Sequence, residues 1–257
     1  MLTFRNTNIV FILLLFGLLA LKTVMVITAW YFVLLLAVYV GIISYGSYYV
    51  GSNFFMQVIC SAAVNDKKIA LTFDDGPAHN FTPAIINLLK MHDVKAAFFC
   101  IGNRISGNEK IIETLLDNGH VIGNHSNSHS YFFDFFTTGK MLNDLEQMDA
   151  NLEKISGKKP LLFRPPYGVT TPAMKHAMKK GNYTAVGWNI RSLDTVTRDE
   201  NKLYNRVISA IKPGAILLFH DTSETTVNVL PAVINYAMEK GYTFERLDKL
   251  INREAYA

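Results

Sequence analysis

Two adjacent carboxylates, Asp74 and Asp75, close an apolar run and lead straight into Gly76-Pro77. At the C-terminal end of a strand, such a pair occupies the loop that α/β barrels use for chemistry. In an ordinary turn, the same residues would only hydrogen-bond their own backbone. His125 and His129 are spaced i and i+4, and on one helical turn their imidazoles would face the same side and reach one cation. A carboxylate from a neighbouring loop would complete three ligands with an open fourth position, as a catalytic zinc site needs. Arg164 precedes Pro165-Pro166-Tyr167-Gly168. The prolines stiffen that stretch enough to hold a backbone N–H in one direction, and the guanidinium can pair with a carboxylate. His220 ends a further apolar run, just before Asp221. Of the remaining histidines, His92 and His176 fall on helical patterns as surface residues, while His79 and His120 read as solvated or structural.

These side chains meet only if the runs that carry them are strands of one sheet. Seven strand-like runs cover residues 68–73, 95–101, 120–124, 161–164, 184–189, 215–219 and 242–245. Helical patterns separate them at 84–92, 109–117, 140–155, 173–180, 199–211 and 226–240. Thr82-Pro83 and Thr171-Pro172 each place a capping hydroxyl before a proline at the first helical position. Strands alternating with helices of about 10–15 residues imply βαβ units and a parallel sheet, either a small (β/α) barrel or a doubly wound sheet. No GxGxxG or GxxxxGK[ST] opens any helix, which leaves a nucleotide-binding sheet without support. In a parallel sheet, the acids, histidines and Arg164 converge on one edge from the first, third, fourth and sixth strands. That convergence, more than any single motif, points to catalysis.

The first fifty residues have a different character. From residue 8 to residue 50 the only charge is Lys22, flanked by apolar runs at 9–21 and 24–50. A spanning helix needs about 20 apolar residues. The second run meets that length, and the first reaches it by recruiting Thr7, Asn8, Thr23 and a snorkelling Lys22. The expected organisation is a membrane anchor over 1–50, a connector over 51–66 and a catalytic domain over 67–257. The anchor is either a transmembrane helical hairpin or one span with a short membrane-dipping segment. A cleaved signal peptide is disfavoured, since no A-x-A site follows and a second apolar run begins at once. With Lys22 in a cytoplasmic turn, both hairpin ends and the domain lie outside the cytoplasm; Arg5 argues the other way. The 257 residues carry 25 Lys and Arg against 21 Asp and Glu, a net charge of +4. Without a basic block, the footprint of a nucleic-acid partner is missing. Half the residues are apolar, which excludes disorder as the main character of the chain. Cys60 and Cys100 lie outside any CxxC and read either as two free buried thiols or as one bridge, the first being the simpler reading.

Across residues 68–246 the chain resembles the polysaccharide deacetylase family, carbohydrate esterase family 4, built on the chitooligosaccharide deacetylase homology domain. The likeness rests on TFDDGP at 72–77, HSxxH at 125–129, RxPxG at 164–168 and LxH at 218–220, in the family's order. It implies an α/β fold, a distorted (β/α) barrel that matches the seven runs counted above. It also implies a divalent metal on Asp75, His125 and His129, most often Zn2+, with Co2+ or another divalent ion as alternatives. Asp74 would be the general base, oriented by Arg164, and the Tyr167 backbone N–H would help form an oxyanion hole. Leu218 and Pro166 would line the acetyl pocket, and His220 would be the general acid, oriented by Asp194. One motif departs. Where the family carries DxxDW, this chain has Arg191-Ser192-Leu193-Asp194-Thr195, which keeps Asp194 but replaces the first acid and the tryptophan. Trp188 is a candidate to fill part of that wall. The implied activity removes N-acetyl groups from an amino-sugar polymer, peptidoglycan or chitin-like N-acetylglucosamine, outside the cytoplasm at a lipid bilayer. Deformylation or deacetylation of a lipid-linked sugar, O-acetyl ester hydrolysis and a non-catalytic sugar-binding role are the other readings.

Overall fold

A computed structural model describes residues 2–257. Its centre is a parallel sheet of β1 (Lys68–Asp74), β2 (Ala97–Cys100), β3 (Val121–Asn124), β4 (Leu162–Phe163), β5 (Thr184–Ala185), β6 (Ile190–Arg191) and β7 (Ile216–His220). The spatial order is β5-β4-β3-β2-β1-β7-β6, and β8 (Thr243–Phe244) pairs with the start of β1. Six of β1's seven residues are buried, as expected of a central strand covered on both faces, and Phe73 stacks on Phe98 at 4.9 Å. All seven expected strands are present. β6 was not expected as a separate element: the chain kinks after β5, leaves the β4 edge and returns at the other side of the sheet, against β7.

The sheet is therefore a half-barrel with a gap between β5 and the β6–β7 edge, and the connector fills it. Ile59 pairs with Val186 beyond β5, its N–H donating to Ala185 O at 3.0 Å and its carbonyl accepting from Gly187 N at 2.9 Å. Ser61 pairs with Ala215 ahead of β7, and Ala62 N donates to Gly214 O at 2.8 Å. Residues 59–62 thus serve as a stave of the barrel rather than as a loose tether.

Helices α3 (Thr82–Met91), α4 (Glu109–Asp117), α5 (Thr138–Ser156), α6 (Pro172–Gly181), α7 (Glu200–Ile208) and α8 (Glu224–Glu239) lie where the pattern places them. They bury their apolar faces against the sheet, as Ile111, Ile112 and Leu115 do on α4. A single helical turn, Leu247–Leu250, follows β8. Thr171 caps α6 as expected, accepting from Met174 N at 3.1 Å. Thr82 does not cap α3, whose N-cap is Phe81. Its hydroxyl accepts from Ala78 N at 2.7 Å and donates to the fully buried Asp221 at 2.6 Å. A buried carboxylate outbids a solvent-facing cap for the one hydroxyl within reach.

The N-terminal helices α1 (Phe4–Val24) and α2 (Ala29–Tyr48) form a hairpin, both long and apolar enough to cross a membrane. Tyr39 hydrogen-bonds Asn8 at 2.8 Å across it, and Phe11 packs on Tyr39. The end of the second helix docks on the segment after Gly168. Ser47 Oγ donates to Thr170 O at 2.8 Å, and Thr170 N donates back to Ser47 O at 3.0 Å. Both cysteines are free, with Cys100 buried and Cys60 only partly so.

The two threonines give a stability test. Thr171→Ala loses one half-buried cap and costs about 1 kcal/mol. Thr82→Ala strands a backbone N–H and a buried carboxyl, costing about 1–3 kcal/mol. Thermal unfolding of the two variants should rank Thr82→Ala as the more damaging.

Candidate active site

Parallel register assembles the site. Asp74, the last residue of β1, stands opposite His220 on β7 and Phe99 on β2, while Cys100 stands opposite Asn124 and Asn124 opposite Phe163. One residue beyond these last pairs lie His125 and Arg164, so all the expected strand-end side chains emerge at one edge.

Asp75 leaves β1 with φ +75°, in the left-handed region that non-glycine residues seldom adopt. That turn aims its carboxylate at both histidines: Oδ1 lies 3.5 Å from His125 Nε2 and 3.3 Å from His129 Nε2. Burial alone would raise the Asp75 pKa, but the hydrogen bond and charge of His125, with His220 and His129, hold it well below the usual carboxylate range. His129 is pushed below its ordinary value by burial and by His125.

The HxxxH spacing acts differently from the helical turn expected. Residues 125–129 form a loop, with Ser126 at φ +66° and His129 at φ +45°. Side chains of its own and of α5 close it: Asn124 Oδ1 accepts from Ser126 N at 2.8 Å, Ser126 Oγ from His129 N at 3.0 Å, and Asp144 Oδ1 on α5 from Asn127 N at 2.8 Å. His125 Nδ1–H donates to Arg164 O at 2.9 Å, which leaves its Nε2 lone pair facing Asp75. His129 Nε2 is buried and has no hydrogen-bond partner among the described residues.

This donor set fits a divalent cation. Tetrahedral bonds of about 2.0–2.1 Å place ligand atoms about 3.3–3.4 Å apart, and the spacings from Asp75 to the two imidazoles are 3.5 and 3.3 Å. A cation there would also satisfy the orphaned His129 nitrogen. Two nitrogens and one oxygen suit zinc, with a fourth position left open.

Beside the three candidate ligands, Asp74 is buried and held by Arg164, whose Nη1 reaches Oδ1 at 2.7 Å. Oδ2 faces His125 Nε2 at 3.8 Å. The Arg164 side chain has no solvent exposure; it also donates to Thr72 Oγ1, Val186 O and Gly187 O, and stacks over Phe99. Across the cleft, Asp194 accepts from His220 N at 2.6 Å, His220 Nδ1–H at 2.7 Å and Thr226 Oγ1 at 2.5 Å. Burial would lower the His220 pKa, yet the Asp194 contact raises it above the ordinary imidazole value. Tyr167, 37 % exposed, brings its hydroxyl to 3.2 Å of His129 O, and its backbone N–H has no acceptor among the described residues. Leu218 is buried between Thr72 and Arg191 in register, and Pro166 is half-buried beside Tyr167.

Other site residues gave no signal, or a partial one. Asp144 shapes the histidine loop from α5, far along the chain and without a motif. Asp221 was visible next to His220 but had no assigned task. Fully buried, it is pushed up to about 7 by desolvation, and it stands where a Cβ on Gly76 would come within 2.0 Å of its Oδ2. Glycine is obligatory there. His120 is buried rather than solvated, its Nδ1 accepting from Ala96 N at 3.2 Å, and burial pushes it down to about 4. Trp188 backs the Tyr167 loop so closely that a Cβ on Gly168 would meet its ring at 2.7 Å.

A sequence profile of the polysaccharide deacetylase family matches residues 61–186. A peptidoglycan-N-acetylglucosamine deacetylase of Bacillus cereus is 34% identical over 192 residues, covering 73% of this chain and 89% of that protein. The peptidoglycan-N-acetylmuramic acid deacetylase PdaA of Bacillus subtilis is 32% identical, covering 72% of each. The chain belongs to the polysaccharide deacetylase family. The crystal structure of the Bc1960 peptidoglycan N-acetylglucosamine deacetylase superposes with a TM-score of 0.74 at 30% identity, covering 78% of this chain and 95% of that one. A pseudoenzyme of carbohydrate esterase family 4 from Bacillus anthracis shares the fold at a TM-score of 0.72 and 25% identity, covering 78% of this chain and 71% of that one. The profile match ends before Arg191, so the departure at 191–195 lies outside it.

Metal titration tests the cluster. His129→Gln should lower zinc affinity more than about 100-fold, measured by competition with a chelating dye. Asp144→Ala, which loosens the loop without touching a ligand, should cost about 10–100-fold, in the range of an outer-shell loss.

Proposed function

We propose that the protein is a metal-dependent N-deacetylase acting on N-acetylated amino sugars of a peptidoglycan-type glycan. The observation that carries this is Asp75 Oδ1 shared between two imidazoles, directly beside an arginine-clamped Asp74. The two relatives named above act on N-acetylglucosamine and N-acetylmuramic acid in peptidoglycan, which supports the substrate class and leaves both sugars open. The pseudoenzyme relative shows that the fold alone does not guarantee turnover. Here every ligand and proton-transfer candidate is retained, which favours the enzyme over a binding module.

Asp75, His125 and His129 would hold the cation. When bound, it supplies a Lewis acid for the amide carbonyl and brings the pKa of water from about 15.7 toward 7. Arg164 fixes Asp74 Oδ1, so Oδ2 is the oxygen that takes the attacking water's proton. The unpaired Tyr167 N–H is available to the developing oxyanion, a donor worth about 3–4 kcal/mol in the transition state. Leu218 and Pro166 close around the acetyl methyl. His220 presents Nε2 to the leaving nitrogen and donates the proton that lets the amine depart, while Asp194 holds Nδ1.

The hairpin is read as an anchor over residues 1–50 with both ends outside the cytoplasm, joined through 51–66 to the catalytic domain over 67–257. The Ser47–Thr170 strap holds the catalytic face close to the bilayer.

Chelation should abolish acetate release from peptidoglycan and chitin fragments, and zinc should restore it. Asp74→Asn should bind zinc normally yet lose about 10²–10⁴-fold in kcat; full activity would remove it as the base. The pH profile carries a second prediction. Because the folded-state pKa of His220 is raised, its interaction with Asp194 contributes fully below about pH 6.5, the ordinary imidazole value, and fades as pH rises through the raised one. Activity requiring imidazolium should fall on that alkaline limb, and Asp194→Asn should move the limb toward acid.

A further inference from the structure

On the far side of Tyr167 from the ligand cluster lies a cavity of about 750 Å³, walled by the segment leaving the hairpin and by the departed motif. Tyr48, Tyr49 and the connector form one wall; Trp188, Arg191, Arg206 and Lys212 form the other. Three cations line it, and no carboxylate does. Among the described residues, none of the three has an acid within ion-pair distance. Both arginines are exposed, and each has one orienting contact: Arg206 Nε donates to Arg191 O at 2.9 Å, and the Arg191 guanidinium carbon lies 5.8 Å from the Trp188 ring centroid. Tyr167 lines this cavity and also the cleft holding Asp75 and His129, so one ligand can occupy both.

We propose that this cavity is a phosphoryl subsite, and that the glycan deacetylated at the ligand cluster carries a phosphate ester at its membrane-proximal end. The proposal rests on the deacetylase reading above and names the substrate class for it. Three uncompensated cations suit a dianionic phosphate or a diphosphate better than a single carboxylate, and planar guanidinium groups give paired N–H donors to phosphate oxygens. The cavity opens beside the hairpin's end, where a lipid-linked saccharide would present its phosphate. The sugar chain then runs past Tyr167 toward the metal ligands.

The test uses the full chain in detergent and three probes: chitotetraose, chitotetraose 1-phosphate, and a muramyl-containing tetrasaccharide with a lactyl carboxylate. Calorimetric binding is measured separately from acetate release. The wild type should bind the 1-phosphate at least about tenfold more tightly than the neutral sugar, as expected for charge-assisted pairing. Arg191→Gln with Arg206→Gln should bring the ratio to within about twofold of unity. Lys212→Glu leaves both arginines in place, and it should invert part of the preference even if the double variant fails to fold. Equal binding of phosphorylated and neutral sugars would overturn the subsite, as would a stronger preference for the muramyl carboxylate. Cation-dependent binding to phosphatidylglycerol vesicles without preference for the 1-phosphate would overturn it in favour of a bilayer headgroup. Phosphate preference with no acetate release from any probe would keep the subsite and overturn the deacetylase reading instead.

Discussion

Arg164 is a charged side chain with no solvent exposure, and much of the site follows from how that charge is satisfied. Taking a guanidinium out of water costs several kcal/mol unless its donors are all used. Four are met here, by Asp74, Thr72, Val186 O and Gly187 O, and its flat face lies over Phe99 at 4.1 Å. Those partners come from β1, β2 and the turn after β5, so the arginine is comfortable only when the half-barrel is closed in this register. The same residue acts twice on the chemistry. Its side chain aims Asp74, and its carbonyl accepts from His125 and thereby aims the imidazole Nε2. Loss of either charge would leave the other buried and unpaired, a penalty of about 3–5 kcal/mol. Asp74 and His125 are therefore both coupled to folding through one group.

Gly187 extends that coupling to the N-terminal segment. Its carbonyl accepts from Arg164, and its N–H donates to Ile59 O in the connector. A side chain at this position would collide with Cys60 Sγ at 2.6 Å, so the connector lies tight against the strand end that satisfies the arginine. The hairpin then reaches the site by two routes, through the connector and through the Ser47–Thr170 strap behind the Tyr167 loop. Movement of the hairpin against the sheet would be felt at both the arginine and the tyrosine.

The strands and their polar ends were legible because a buried parallel strand is a short apolar run, and its C-terminal edge is where polarity resumes. The split at β6 was not, since residues 184–189 read as one run and nothing in its continuation to Ile190 and Arg191 marks the change from one sheet edge to the other. Local spacing also misled at His125 and His129. The i, i+4 interval is correct for a shared ion, but the route is a loop with two left-handed residues, held by Asn124 and by Asp144 from α5. Positive φ at Asp75, Ser126 and His129 has no compositional signature: Ser126 and His129 are held by side chains two and three residues back, and Asp75 O accepts from Arg104. Thr82 failed for another reason: its sequence neighbours describe a cap, and the decisive partner is Asp221.

The departed motif shows where this chain was free to change. Asp194 receives three hydrogen bonds in the interior, two of them from His220, and replacing it would strand a backbone N–H, an imidazole and a hydroxyl at once. Arg191 and Thr195 stand exposed on either side of it with no such obligations. Substitution there leaves the Asp194–His220 geometry intact and alters only exposed surface. Three residues before Arg191, Trp188 supplies an aromatic wall beneath the Tyr167 loop, with the Arg164 and Arg191 guanidinium carbons each 5.8 Å from its ring centroid. One arginine is committed to Asp74 and the other lines the cavity beside the hairpin. The indole thus stands between the buried arginine that clamps Asp74 and the exposed one at position 191.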